Sequence, residues 1–556
     1  MAHDTPFYKT EDFWAMAIGI FLLLAALGIY FSIVPEGMKD RIGRLETDLK
    51  NGEKLPFKSI AWHEAKADLE KQKLSSVPAG VFFKKLTAHP NSWTSNPTDA
   101  FFKPASTLDI APETEAVNRG IRKAMEAENA AVEVNYADEN LNRAASEAIS
   151  KWQDALKKHS NKSQGMKPGT FSLLHTAGLF VWLALLFGLG ARIQGTPFTN
   201  FLKGFAAVFS LALVSLFLAS QKNMKDLGIE YAVWAIVLGI LVSNTVGTPK
   251  WVSSALTTEF YIKTGLILMG AEVLINKIMA IGLPGMFVAW VVTPIVLVTT
   301  YWFGQNILKI ASKSLNITIS ADMSVCGVSA AVATAAASKA TREELTVAIG
   351  LSMVFTAIMM IVMPLFIKFV GMPEVLGGAW IGGTIDSSGA VVAAGAALGD
   401  KAMYVAATIK MIQNMLIGLV AFGVAVYFAA KVDKTSNGPR IGAGEIWRRF
   451  PKFILGFIGA SLLFSLVYKM IGEGMAYAVL EEGVLGGFTK NLRTWFFCLA
   501  FASIGLSTNF RELKHYFRGG KPLMLYVCGQ ALNLLLTLGM AYLMFYKVFP
   551  EVTKGI

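Results

Sequence analysis

Apolar runs of about 20 residues, the length a helix needs to cross the hydrocarbon core of a bilayer, recur about thirteen times in this 556-residue chain. They fall at roughly 12–34, 171–192, 199–220, 228–247, 255–276, 281–304, 317–338, 343–370, 376–398, 404–430, 451–472, 491–510 and 521–549. Strands that span membranes would instead show segments of about 10 residues with strict alternation, and none is visible. The fold class expected is therefore an all-α polytopic membrane protein with about 11–13 transmembrane helices. The first run exceeds the apolar core of a signal peptide and lacks a clear small-residue cleavage site, so residues 1–35 read as a retained N-terminal transmembrane helix.

Charged residues make up 16% of the chain, against about 25% in soluble domains, and they are unevenly spread. Residues 36–169 are rich in Lys, Glu, Asp and Asn and read as a soluble, mostly helical, extracytoplasmic insertion. Within them, 78–112 holds five prolines and predicts irregular structure, whereas 113–158 has none and predicts a long helix or a helical pair. Residues 170–549 form the membrane domain. The net charge of +12 is concentrated beside apolar runs, at Arg448, Arg449, Lys452, Arg511, Lys514 and Arg518. That fits the positive-inside pattern and not a nucleic-acid stripe. Loops 431–452 and 511–521 are thus expected in the cytoplasm, and 473–490, with Glu473, Glu481 and Glu482, outside. Counting back puts the N-terminus inside and 36–169 outside, in a multi-pass protein of a bacterial inner membrane. Cys326, Cys498 and Cys528 all lie in apolar runs and give no disulfide or zinc spacing.

Two stretches carry the chemistry. One runs from Ser324 through Cys326, Gly327 and Ser329 to Ser338. The other runs from Gly382 through Gly383, Thr384, Asp386, Ser387, Ser388 and Gly389 to Gly399. Both are nearly pure Gly, Ala, Ser, Thr and Val. Such residues let helices pack closely, which is the structural explanation. The density of hydroxyls beside glycines also suits broken helices, whose freed N–H groups and half-helix N-termini attract oxyanions. Ionisable residues inside apolar runs are costly and usually face a cavity or a partner. Lys410, followed by Gln413 and Asn414, is the leading case; Asp386, Glu272, Lys263 and Asp322 follow. A structural salt bridge explains Lys410 equally well, and interfacial snorkelling explains Glu272, Lys263 and Asp322. His175 reads as a helix–helix hydrogen bond, and Met353, Met359, Met360 and Met363 as packing. No His-Glu-x-x-His, phosphate-binding loop or Gly-x-Ser-x-Gly is present, so no enzymatic activity is expected. A faint likeness between 265–285 and 500–522, each an apolar helix followed by a polar exit and then Gly and Pro, suggests inverted repeats.

S324-V-C-G-V-S-A-A-V-A-T334, V391-V-A-A-G395, the Lys410-Met411 pair, I504-G-L-S-T508 and K521-P522 resemble the sulfate exporter (YeiH-type) family. That family is grouped with the sodium/proton antiporters and bile-acid symporters. The likeness covers about residues 200–549 in the same order. It implies inverted repeats with discontinuous helices crossing at mid-membrane, an anionic substrate of the sulfate or sulfite kind, and a homodimer. This chain departs from the pattern at Asp386-Ser387, where many relatives carry a His-Glu pair, and at Glu272, where they carry a basic residue. The 36–169 insertion is absent from short members.

The expected function is secondary active transport of a small anion by alternating access. The substrate would meet Ser324, Cys326, Gly327, Ser329, Gly383, Thr384, Ser387, Ser388, Gly389 and Lys410. Asp386, Glu272 and Asn414 would couple its movement to Na⁺ or H⁺. No organic cofactor, metal or nucleic acid is expected, Na⁺ being the one ion the acidic residues could serve. Transport of bicarbonate or of small carboxylates or sulfonates, an anion channel, and a receptor or scaffold working through 36–169 are the alternatives.

Overall fold

The computed structural model describes residues 6–103, 109–166, 168–226, 231–272, 275–428, 432, 452–509 and 520–555. Every regular element among them is helical. Of the basic residues that set the expected orientation, Arg448, Arg449, Arg511, Lys514 and Arg518 lie outside the described residues.

The thirteen apolar runs take three forms. Eight are helices long and apolar enough to cross a membrane: Glu11–Ser32, Leu173–Ile193, Phe198–Ala219, Ile281–Asn306, Glu343–Phe369, Asp400–Tyr427, Phe453–Ile471 and Lys521–Val548. Three are shorter: Tyr231–Thr245, Thr258–Glu272 and Lys490–Ser507. A 15-residue helix is only about 22 Å long, short of the roughly 30 Å hydrocarbon core. The remaining two runs are broken helices, and they are the two Gly-rich stretches.

The first broken helix starts at Lys313, where Ser312 caps it by accepting from the Leu315 N–H, and continues through a π-helical turn, Asp322–Cys326. It breaks at Gly327, whose φ of 51° and ψ of −125° suit glycine alone. A second half, Val328–Ser338, follows. The second broken helix runs Glu374–Thr384, opens into extended backbone at Ile385 and Ser387, and resumes as Ser388–Ala396. No glycine sits at this second break. Gly383 and Gly389, expected to loosen it, lie inside the helical halves. A Cβ on Gly383 would sit 2.6 Å from Thr537 Cγ2, and one on Gly389 2.6 Å from Ile262 Cδ1. These two glycines serve close packing, as small residues at membrane helix crossings do.

The chain divides into two compact units. Met1–Phe21, Phe180–Leu463 and Arg493–Ile556 make up one. Its interior includes an aromatic column in which Phe209 stacks on Trp495 and Phe187 meets Phe260, Tyr261 and Phe496 edge-on. The helix Tyr231–Thr245 lies against Lys490–Ser507 so closely that a Cβ on Gly239 would meet the Gly505 Cα at 2.7 Å. Ser243 Oγ donates to the carbonyl of Thr508 at 2.7 Å. The second unit joins Leu22–Leu179 with Phe464–Leu492. It contains a helical hairpin, Ala111–Glu133 and Glu139–Met166, as the alanine-rich, proline-free sequence predicts. Ala124, Ala131, Ala145, Ile149 and Trp152 close over Phe57 and Ile60 to form its core.

Candidate functional site

The two breaks touch. A Cβ on Gly327 would lie 2.7 Å from the carbonyl oxygen of Asp386 and 3.0 Å from Ser352 Oγ. Each break exposes two helix ends, and the two kinds of end meet different surroundings.

The C-terminal ends present carbonyls, and fixed side chains donate to them. Lys410 Nζ donates to the Val325 carbonyl at 2.7 Å and to Gln413 Oε1 at 2.7 Å. Gln413 Nε2 donates to the carbonyls of Ser324 at 3.0 Å and Gly383 at 3.3 Å. From the helix Lys521–Val548, Gln530 donates to the Thr384 carbonyl at 3.1 Å and Asn533 to the Met323 carbonyl at 3.3 Å. Orphan carbonyls at a helix end need such partners where water is scarce.

The N-terminal ends are different. Neither Val328–Ser338 nor Ser388–Ala396 has a side-chain cap, and both open on one cavity of about 700 Å³. Cys326, Gly327, Ser329, Asp386, Ser387, Ser388 and Asn414 line it, seven of the residues singled out from sequence. Asn414 Nδ2 donates to Ser388 Oγ at 2.9 Å. Asp386 accepts a hydrogen bond from the Tyr526 hydroxyl. Ser352 lines the cavity as well, while Asp322, within electrostatic reach of Asp386 and Lys410, is buried behind it. At the cavity mouth Lys263 pairs with Asp12 at 2.9 Å and lies 3.9 Å from both Glu11 and Glu259.

The other candidates lie elsewhere. Ser324, Gly383 and Thr384 belong to the capped carbonyl ends, and Gly389 packs on Ile262. Lys410 sits behind the breaks and is absent from the cavity wall. Glu272 is remote: it pairs with Arg493 at 3.1 Å and accepts from the Tyr404 hydroxyl at 2.6 Å. Three helices agree on how remote. Thr258–Glu272 lines the cavity with Thr258, Glu259 and Lys263 and reaches the ion pair 13 residues after Glu259. Lys490–Ser507 holds Arg493 near its start and lines the cavity with Ile504 and Ser507 near its end. Asp400–Tyr427 places Tyr404 at the ion pair and Asn414 at the cavity. At 1.5 Å per residue these separations of 10 to 14 residues put the two sites about 15–20 Å apart along the same helices. Thr258–Glu272 and Lys490–Ser507 therefore run in opposite directions, as an inverted repeat requires.

Sequence reasoning passed over Tyr526, Gln530 and Asn533. With Thr537 they are spaced by 4, 3 and 4 residues in an apolar helix, a polar stripe down one face.

The family described as "Conserved hypothetical protein 698" matches residues 203–526. A UPF0324 membrane protein of Nitratidesulfovibrio vulgaris is 50% identical over 563 residues, covering 99% of this chain and 96% of its own. This chain belongs to the UPF0324 membrane protein family. A UPF0324 membrane protein of Rhodopirellula baltica is 58% identical over 374 residues, covering 67% of this chain and 68% of its own. One from Corynebacterium glutamicum is 25% identical over 336 residues, which make up 59% of this chain but 91% of that relative. No solved structure matches. In this UPF0324 protein the matched region spans both broken helices, Lys410 and the 504–508 motif. It leaves out the hairpin unit's residues 36–169.

Proposed function

We propose that this protein is a secondary transporter that moves a small oxyanion, of the sulfate or sulfite kind that its YeiH-type motifs suggest, by alternating access. One observation supports this most: two uncapped half-helix N-termini face a single cavity while five carbonyls of the opposing helix ends are held by fixed side-chain donors. Each N-terminus carries a partial positive charge of about half a unit and free N–H groups, a disposition suited to anions. Ser329, Ser387 and Ser388 add hydroxyls, and Cys326 borders the same space. Asp386, reached from the cavity and held by Tyr526, would exchange the coupling H⁺ or Na⁺. Lys410 serves the anion indirectly, by fixing the carbonyl ends that would otherwise repel it. Glu272 takes no part in coupling under this proposal. The setting is a bacterial inner membrane.

Flux measurements on liposomes containing the purified protein test the reading with sulfate, sulfite, bicarbonate and small carboxylates. Gradient-driven uptake of at least one is expected, lost in Asp386→Asn and strongly reduced in Lys410→Ala. Absence of flux for all of them, or both variants working at the unmodified rate, refutes it. Ohmic single-channel currents would replace alternating access with a channel.

A further inference from the structure

The charges around the cavity limit what it can hold. Two cations stand near it, and neither faces an anion freely. The Lys410 ammonium is committed to the Val325 carbonyl and to Gln413, and Lys410 is not part of the wall. Lys263, at the mouth, lies within 4 Å of three carboxylates. Among the described residues lining the cavity no other Lys or Arg is present. The positive field available to a solute is that of two half-helix N-termini, about one unit charge together, and the wall residues Glu11, Asp12 and Glu259 outnumber the one ammonium, Lys263, that they surround. Asp386, on the same wall, can only subtract from that field. A dianion would enter with at least one charge uncompensated by the wall, which is unfavourable wherever that charge leaves water.

Asn414 adds an independent requirement. It is 2% exposed, it lines the cavity, and its Nδ2 is used on Ser388. Its Oδ1 is buried and accepts no hydrogen bond. An amide oxygen left so loses the worth of a hydrogen bond, and what it needs is a donor. Halides, nitrate, sulfate and ionised carboxylates bring none. An oxyanion that keeps one proton brings one O–H and carries its negative charge on the remaining oxygens.

Resting on the anion reading above, we infer that the site selects a singly charged hydrogen-oxyanion, of the hydrogencarbonate or hydrogensulfite class. Its charged oxygens lie against the N–H groups at Val328–Ser329 and Ser388–Gly389, and its O–H donates to Asn414 Oδ1 once the amide turns that buried oxygen toward the cavity.

The native thiol of Cys326, on the cavity wall, reports occupancy without any assumption about transport. Cys498 is fully buried, Cys528 is exposed and Cys326 is 9% exposed on the cavity wall, so in a Cys528→Ser background Cys326 is the thiol that a reagent entering the cavity reaches. The full chain in lipid nanodiscs is treated with N-ethylmaleimide at constant pH and ionic strength while sodium hydrogencarbonate, nitrate or sulfate is titrated. Hydrogencarbonate is expected to halve the labelling rate at a concentration at least about tenfold below that of sulfate, with nitrate between them, tenfold being one 1.4 kcal/mol step in affinity. Asn414→Leu should erase the margin of hydrogencarbonate over nitrate and leave nitrate protection in place. Asn414→Ser serves if the leucine variant does not fold, and the comparison of anions needs no variant. Protection by sulfate at an equal or lower concentration overturns the charge argument, and a margin that survives in both Asn414 variants overturns the role of its oxygen. If no anion protects Cys326, the anion reading itself falls and this inference with it.

Discussion

Replacing Arg493 should be among the most destabilising single changes in the membrane unit, and the structure sets the size of the effect. The side chains of Arg493 and Glu272 are 5% and 2% exposed and meet at 3.1 Å. Tyr404 joins them, donating to Glu272 at 2.6 Å and accepting from Arg493 at 3.1 Å. A further contact from Arg493 to Asp400, at 3.5 Å, involves a carboxylate that is 72% exposed, so it contributes at most about 1 kcal/mol. Arg493→Met keeps most of the volume and removes the charge. Glu272 is then left ionised in a buried site without the guanidinium that faces it, a situation that costs about 3–5 kcal/mol. The double variant Arg493→Met/Glu272→Gln removes both charges and leaves an amide that Tyr404 can still serve. It should recover more than half of the loss. Denaturant titration of the purified full chain in mixed micelles, followed by tryptophan fluorescence, measures both. A single variant within about 1 kcal/mol of the unmodified protein, or a double variant as unstable as the single, would refute the assignment of a buried charge pair. Because the pair is about 15–20 Å from the cavity, anion protection of Cys326 should persist in the folded fraction of the single variant.

Three further outcomes follow from local geometry. Gly327→Ala forces a Cβ onto a positive φ and to within 2.7 Å of the Asp386 carbonyl, so transport should be lost, with a stability loss of at least about 1–3 kcal/mol; normal flux in this variant would show that the two breaks do not need their close approach. Gly505→Val inserts a branched side chain where even a Cβ would lie 2.5 Å from the Ile236 carbonyl oxygen and 2.8 Å from the Gly239 Cα, and a fall in folded yield without any change in anion preference is expected from thermal unfolding and labelling. Burial, aided by the ammonium groups of Lys58 and Lys66, holds the imidazole of His63 below its ordinary value of 6.5. The unfolded state therefore binds this proton more readily than the folded one. The stability contribution is whole above about pH 6.5 and is lost as the pH falls. Melting of the hairpin unit should drop on acidification, and His63→Gln should flatten that dependence; an unchanged slope would mean that His63 is not the titrating group.

The membrane character of this chain was legible because the constraint is one of length: a span needs about 20 apolar residues wherever it occurs, and each of the thirteen runs became helix. Which runs would be short or broken was less visible. The first break falls on Gly327, whose backbone angles exclude other residues, but the second break, at Ile385 and Ser387, is made by ordinary residues in extended backbone. What holds that break open is tertiary: Gln413 and Gln530 take over carbonyls that a continuous helix would have satisfied itself. Gly383 and Gly389 looked like hinge residues and proved to be contact points, since hydropathy and small size are the same signal for either use. Glu272 shows the same ambiguity. An acidic residue in an apolar run demands a partner, but nothing in a single sequence says whether that partner is a coupling ion or, as here, an arginine 221 residues further along.

Lys410 carries the most consequential revision. Read from sequence, its ammonium is the natural counter-charge for an anion. In the structure its protons go to a backbone carbonyl and an amide, and its position behind the breaks keeps it from the cavity. Its charge is spent on the negative ends of the broken helices. Capping those ends leaves the positive ends as the local field at the cavity, so under the proposed transport a side chain out of contact with the substrate would still fix the sign of what can enter. A lysine in direct contact would have suited any anion of adequate size. Backbone N–H groups at two helix starts supply a smaller and directional charge, and they favour an anion that needs no more than one unit of compensation.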